Sequence, residues 1–328
     1  MTARHVALYY AWSRPGEIGA PIAVNENRFP TLYESRRLGY PRFQEFSDPV
    51  HFDQSIAGFL DHIMKANFKD FIDQATVQTG HRVIEVERVD DVGEQVPLSQ
   101  AILGGIDTLI IISFDSLRTG QAVNSAELAA VRSFLDDPDH MVFVCPHHDI
   151  GAAKHLSDAD RRRVQEAEFH HHGDRSIPSQ QRFGGLARSI LAGLGVPVEN
   201  QFGLRPAIAP DGWPAPIEIE TSSDRRSLLN GVATFNLHPH LPHLQPLGGA
   251  MSALEVLARQ PIDLTAPPHE FVQQGHTTFN ALLQSRPGLF AGDLLIGDAT
   301  LWSGTAGGLK SLRQLWTNVV QRPVRLIR

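Results

Sequence analysis

Three short runs hold half of the sixteen histidines in this 328-residue chain. They are Cys145-Pro-His-His-Asp149, His170-His-His-Gly-Asp174 and His238-Pro-His-Leu-Pro-His243. Imidazole is the commonest metal ligand and the usual proton carrier near neutral pH. Imidazoles and carboxylates together bind Zn²⁺, which lowers the pKa of a coordinated water and makes it a nucleophile. The runs therefore predict a hydrolytic site with a divalent metal, zinc being the first choice.

The predicted metal ligands come from all three runs: His147, Asp149, His171, His238 and His240. In an extended segment, residues two apart point to the same side, so His147 can join Asp149 and His238 can join His240. The spacing matches no strong metal signature. An alternative therefore stays open, in which the histidines shape a polar pocket without a metal and the second run is a solvated loop.

A second chemistry centres on Cys145, the only cysteine of the chain. In this hypothesis its thiolate is the nucleophile, His147 or His148 is the base, and Asp115, Asp149 or Asp298 orients the imidazole. A neighbouring imidazolium would lower the pKa of the thiol, as the mechanism requires. The competing interpretation is that a cysteine at the end of a buried strand is a small apolar filler.

The predicted substrate is a small organic molecule with an amide, ester or related carbonyl bond. Arg175, Gln181 and Arg205 are the predicted substrate-binding residues, because a guanidinium offers a bidentate fork to a carboxylate or carbonyl. A non-catalytic protein that binds a small ligand in the same pocket, or that serves in assembly, is the alternative from another class.

Composition limits the kinds of partner and the cellular location that the sequence predicts. A formal charge of −7 gives no basic footprint for nucleic acid. No apolar run reaches the roughly 18 residues of a membrane helix, so no membrane partner is expected. One cysteine excludes an intramolecular disulfide and suits a reducing compartment, which predicts a cytoplasmic location. Homo-oligomerisation is left open, because the sequence contains no interface signature.

Alternating apolar runs and amphipathic stretches predict the elements that position these residues. Strands are predicted over 5–11, 82–87, 107–113, 141–145, 217–221, 228–237, 253–259 and 293–298, and helices over 52–75, 124–135, 181–194 and 309–320. Asn124 and Glu127 form a capping box in sequence. This order predicts one α/β domain over 1–328, with a doubly wound, mostly parallel sheet and helices on both faces. A boundary near residue 200 is conceivable.

In doubly wound sheets, ligands bind outside the carboxyl ends of the strands. Segments 113–116, 145–149 and 298–303 each follow a predicted strand. They are therefore expected to share one rim, although they are far apart in sequence.

The element order resembles that of the class I glutamine amidotransferase-like superfamily, which has a flavodoxin-like sheet. The resemblance is carried by Asp107–Ser113, the capped helix 124–135, Met141–Cys145 and the closing Leu-Ile-Gly-Asp298-Ala-Thr-Leu-Trp. It implies that Cys145 matches the position of the superfamily's nucleophile. The chain lacks the Gly-x-Cys-x-Gly elbow and the downstream His-Pro-Glu, and Pro146 has no N–H for an oxyanion. These departures argue against glutaminase activity.

Overall fold

The computed structural model describes residues 4–13, 65–90, 92–115, 119–147, 157–173 and 183–322. The strands are β1 (Val6–Ser13), β2 (Ile84–Val89), β3 (Thr108–Ser113), β4 (Met141–Pro146), β5 (Val198–Leu204), β6 (Glu218–Ile219), β7 (Leu241–Pro246), β8 (Leu254–Pro261), β9 (Thr278–Ser285) and β10 (Asp293–Gly297). The helices are α1 (Lys65–Thr79), α2 (Gln100–Leu103), α3 (Ser125–Phe134), α4 (Asp158–His172), α5 (Gly185–Gly193), α6 (Ala250–Ala253), α7 (Glu270–Gln273) and α8 (Leu309–Val320), with a 3₁₀ turn at Ala299–Trp302.

Eight of these strands form one sheet in the order β2-β1-β3-β4-β10-β9-β8-β6. The five strands from β2 to β10 in this order are parallel, and β9, β8 and β6 continue the sheet as an antiparallel wing. Every residue of β3 and β4 is buried, as expected for strands covered on both faces. The predicted α/β class with a mostly parallel sheet is confirmed. The wing and the separate antiparallel pair β5–β7 were not predicted.

Helices cover both faces of the sheet. Successive side chains of a strand point to opposite faces, so alternate residues of one strand pack against helices on opposite sides. Leu8 and Tyr10 of β1 belong to the same apolar cluster as residues of α1 and α8. Ala7 and Tyr9 belong to the opposite cluster, with residues of α3 and α5. None of the described helices is both long and apolar enough to cross a membrane.

Several helices begin or end where short-range sequence patterns predict. The capping box of α3 is present: the Glu127 N–H donates to Asn124 Oδ1 at 2.9 Å, and the Asn124 N–H donates to Glu127 Oε2 at 3.0 Å. Helix α8 has the predicted bounds. Helix α1 overlaps the predicted helix 52–75 but ends at Thr79, and residues 52–64 lie outside the described residues.

The predicted strand over 228–237 is wrong. The N–H groups of Leu228 and Leu229 donate to the carboxylate of Asp224, at 2.7 and 2.8 Å, rather than to a neighbouring strand. Ser227 and Gly231 have positive φ angles of 55° and 73°, which turn the chain. This apolar run is therefore buried in a series of turns rather than in a strand.

His170, His171 and His172 of the second run lie in the last turn of α4 rather than in a loop. Gly173 ends this helix in the left-handed conformation, with φ 86°. The sequence predicted neither α4 as a whole nor its contact with β5.

Candidate active site at the carboxyl edge of the sheet

Neighbouring parallel strands β3, β4 and β10 end at the same edge of the sheet. Asp115 follows β3, His147 follows β4, and Asp298 follows β10. Parallel strands align their carboxyl ends, so residues almost two hundred positions apart come to one rim. His148 and Asp149 lie outside the described residues.

Asp298 is buried, and only one of its two carboxyl oxygens has hydrogen-bond partners among the described residues. Its Oδ1 accepts hydrogen bonds from the Thr300 N–H at 2.8 Å and the Thr300 hydroxyl at 2.6 Å, which caps the 3₁₀ turn. Its Oδ2 is buried and has no hydrogen-bond partner among the described residues. Burial raises the pKa of Asp298 from 3.8 to about 6. A carboxyl group that titrates in this range can both accept and release a proton near neutral pH.

Asp298 lines a cavity of about 10 Å³, which has room for about one water molecule. Asn236, Gln260 and Thr300 form its other polar walls. The Asn236 side-chain amide donates to the Thr300 hydroxyl at 2.9 Å, and the Gln260 amide donates to the Asn236 carbonyl at 2.7 Å. Asn236 and Gln260 were missed from the sequence, because isolated amide residues carry no motif.

The third histidine run adjoins this cavity. The N–H of His238 donates to Asn236 Oδ1 at 2.9 Å, and Leu241 and Pro242 line the cavity. The rings of His238 and His240 lie 5.5 Å apart between centroids, and the His240 N–H donates to His238 Nδ1 at 3.3 Å. Two predicted ligands are thus neighbours of each other, and the backbone of His238 bonds to Asn236, which lines the Asp298 cavity.

Cys145 lies behind the cavity in the core. Its side chain is fully buried, and Trp302 Nε1–H donates to its Sγ at 3.4 Å. Burial raises the pKa of the Cys145 thiol well above its usual range, and the negative charge of Asp298 raises it further. A thiolate nucleophile needs the opposite shift. The geometry therefore favours the packing interpretation of this cysteine.

Asp115 caps helix α5. Its Oδ1 accepts from the Ser113 hydroxyl at 2.5 Å and its Oδ2 from the Leu186 N–H at 3.0 Å, while the Ala187 N–H donates to Ser113 Oγ at 3.1 Å. A Cβ on Gly185 would lie 2.9 Å from Asp115 Oδ2, so a glycine permits this approach. Because Oδ2 bonds the start of α5 directly and Oδ1 bonds it through the Ser113 hydroxyl, Asp115 acts in this structure as a positioning group for that helix.

His147 is buried among aromatic rings. Its ring centroid lies 5.1 Å from that of Phe114 and 5.4 Å from that of Phe183. Its backbone N–H donates to the Ser113 carbonyl at 3.1 Å, and its carbonyl accepts from the side chain of Asn200 in β5. His147, directly after β4, is therefore bonded to both sheets.

His171 uses both ring nitrogens. Its Nδ1 contacts the Pro267 carbonyl at 2.9 Å, and its Nε2 accepts from the Arg205 N–H at 3.2 Å. Burial lowers the pKa of His171, which keeps the ring neutral. The guanidinium of Arg205 is paired with Asp263 at 3.2 Å. Arg175 and Gln181, the other predicted substrate-binding residues, lie outside the described residues.

The predicted zinc ligands do not fit one metal ion within the described part of the chain. There, no three His, Cys, Asp or Glu side chains form a group that could hold a metal. His147 bonds to Asn200 of β5 through its backbone carbonyl, whereas the ring of His171 bonds to the N–H of Arg205, just after β5.

No protein-family model matches the chain, and no curated protein matches it either.

Proposed function

We propose that this protein is a hydrolase in which Asp298 activates a water molecule for attack on an amide, ester or related carbonyl bond of a small organic molecule. One observation carries the proposal. A buried carboxyl group, with one oxygen that no described residue satisfies and a pKa near 6, lines a water-sized cavity at the ligand-binding edge of the sheet.

The chemistry follows from the protonation of Asp298. As a carboxylate it accepts a proton from the water while the water oxygen bonds to the carbonyl carbon. The same proton then passes to the leaving group when the bond to the carbonyl carbon breaks. A base with a pKa just below the operating pH is ionised and still holds a proton well enough to transfer it. His238 lies next to the same cavity, because its backbone N–H donates to Asn236 Oδ1.

We also infer that the sheet is a doubly wound, flavodoxin-like one with an added wing. Counted along the chain, the parallel strands β2-β1-β3-β4-β10 follow the flavodoxin-like order 2-1-3-4-5. This order supports the resemblance to the class I glutamine amidotransferase-like superfamily as a fold argument. The buried thiol of Cys145 and the chain's departures from the elbow motif support a different reaction centre at the same edge.

The experiment compares Asp298→Asn with wild type on a panel of small chromogenic esters and anilides. We expect kcat/KM to fall by about 10²- to 10⁴-fold, the usual contribution of a general base. Wild-type kcat/KM should rise with pH through about 6 and then level off, as Asp298 ionises. Asp211→Asn is the matched control, because Asp211 is exposed in a surface turn where it bonds the Trp213 N–H at 3.1 Å. Undiminished turnover by Asp298→Asn would reject the proposal.

Three further tests separate the alternatives. Elemental analysis and chelation test the predicted zinc: stoichiometric metal, lost together with activity, would make zinc the activator of the water instead of Asp298. Full turnover by Cys145→Ser, which we expect, would reject the thiol mechanism. Ligand-induced thermal shifts without turnover of any substrate would favour the non-catalytic binding protein.

A further inference from the structure

Asn236 joins the third histidine run to Asp298 by a continuous line of hydrogen bonds. Asn236 is only 1% exposed. The His238 N–H donates to Asn236 Oδ1 at 2.9 Å, and the Asn236 Nδ2 group donates to Thr300 Oγ1 at 2.9 Å. Because a backbone N–H can only donate, it fixes which end of the Asn236 amide is the oxygen. The end that faces Thr300 is therefore the Nδ2 donor.

The backbone at Asn236 is held from two sides. The Gln260 side-chain amide, on β8, donates to the Asn236 carbonyl at 2.7 Å. Gly308, at the start of α8, approaches so closely that a Cβ there would collide with the Phe235 carbonyl. The amide of Asn236 is therefore fixed relative to both β8 and α8.

The Thr300 hydroxyl passes this orientation on to Asp298. A hydroxyl has one hydrogen and two lone pairs. Because Asn236 donates to the oxygen of Thr300, the hydroxyl hydrogen is left for Asp298 Oδ1, which lies 2.6 Å away. Oδ1 also accepts the Thr300 N–H at 2.8 Å. Two donors disfavour a proton on Oδ1, so Oδ2 is the oxygen that takes up a proton.

Burial and these hydrogen bonds control the charge of Asp298. Burial raises its pKa, and the bond from the Thr300 hydroxyl comes first among the hydrogen bonds that lower it. Among the described residues, no charged side chain except Asp298 itself lines the cavity. The thiol of Cys145 interacts with Asp298 from β4, and burial keeps this thiol protonated. A change at the Thr300 hydroxyl should therefore alter the pKa of Asp298 without interference from a neighbouring charge.

We propose that Asn236 is a positioning residue for Asp298. It acts through Thr300, whose hydroxyl it orients as a donor to Asp298 Oδ1, and it thereby stabilises the carboxylate and leaves Oδ2 to exchange protons. The catalytic value of this positioning rests on the proposed hydrolase function, because the carboxylate is the form that accepts a proton from water. The line of hydrogen bonds itself requires no substrate.

The test is a double-mutant cycle in the full chain, with the pKa of Asp298 as its readout. The pKa is measured without substrate by NMR, from the carboxyl resonance of isotope-labelled aspartate that is lost in Asp298→Asn. We expect Asn236→Leu, which is similar in size but has no donor, to raise this pKa by about one pH unit or more, and Thr300→Val to do the same. In the Thr300→Val background, Asn236→Leu should add no measurable change, because a residue that acts through the Thr300 hydroxyl has no effect without it.

Two control variants accompany the cycle. Thr300→Ser keeps a hydroxyl and should keep the wild-type pKa of Asp298. Asn318→Leu is the matched control, because Asn318 Nδ2 also donates to neighbours, the Leu228 and Asn230 carbonyls at 2.8 Å each, and does not line the Asp298 cavity. This variant should leave the pKa of Asp298 unchanged.

Two results would overturn the proposal: an unchanged or lowered pKa of Asp298 in either single variant, or full additivity of the two substitutions. Additivity would mean that Asn236 affects Asp298 independently of Thr300. Thermal melting shows whether each variant is folded, and Asn236→Ala takes the place of Asn236→Leu in the cycle if the leucine variant is not. Because the pKa is read without substrate, this result is distinct from a failure of the hydrolase proposal.

Discussion

Replacing Asp298 by asparagine should change how the stability of the protein depends on pH. The folded protein holds this carboxyl group in a buried site that raises its pKa from 3.8 to about 6. Between these two values the folded state binds more protons than the unfolded chain, so the free energy of unfolding falls as pH rises. Below about pH 4 both states are protonated, and burial of this group then costs the folded state nothing through ionisation. Above about pH 6 both states are ionised, and the cost stays constant.

The magnitude follows from the pKa difference. Each pKa unit is worth about 1.4 kcal/mol, so ionisation of Asp298 costs the folded state about 3 kcal/mol at neutral pH. The asparagine variant keeps an Oδ1 acceptor for Thr300 and carries no charge at any pH. Relative to wild type, it should therefore gain about 2 to 3 kcal/mol in the free energy of unfolding between about pH 4 and about pH 8.

The assay is urea denaturation followed by tryptophan fluorescence, with linear extrapolation to water at each pH. The decisive quantity is the change with pH of the difference between variant and wild type. Other titrating groups cancel in this quantity, and so does any fixed cost of the new amide. Asp211→Asn should give a difference that does not depend on pH. A pH-independent difference for Asp298→Asn would refute the raised pKa and, with it, the case for this residue as a base.

Three other expectations follow from the described contacts. Cys145 should not react with a thiol reagent in the native state, because it is fully buried; reaction faster than global unfolding would contradict this. Asp115→Ala should lower the free energy of unfolding by about 1 to 3 kcal/mol in urea, since it leaves the start of α5 uncapped. Burial lowers the pKa of His269 from 6.5 to about 4, so its contribution to stability is complete above pH 6.5 and is lost as pH falls towards 4. His269→Gln should therefore lose less stability than wild type between these values, and an equal loss would contradict the neutral buried ring.

The sequence by itself determined the elements whose signals are local. The apolar runs of β3 and β4 predict strands because no other short element buries every side chain, and Asn124 with Glu127 predicts the start of α3 because the capping bonds lie within one turn. Cys145 and Asp298 each lie at the end of a predicted strand. Because parallel strands share their direction, the sequence also placed both residues at the same edge of the sheet.

Only the tertiary structure decided what those residues do. Asn236, Gln260 and Asp298 line one cavity because the antiparallel wing pairs β9 with β10 and β8 with β9, and nothing in a single segment records that pairing. The histidine runs looked alike in sequence, yet their described residues differ: His147 lies among aromatic rings, His170–His172 end a helix with both nitrogens of His171 bonded, and the third run adjoins the Asp298 cavity. Burial and hydrogen bonding set the pKa and availability of a side chain, and both depend on neighbours that are distant along the chain.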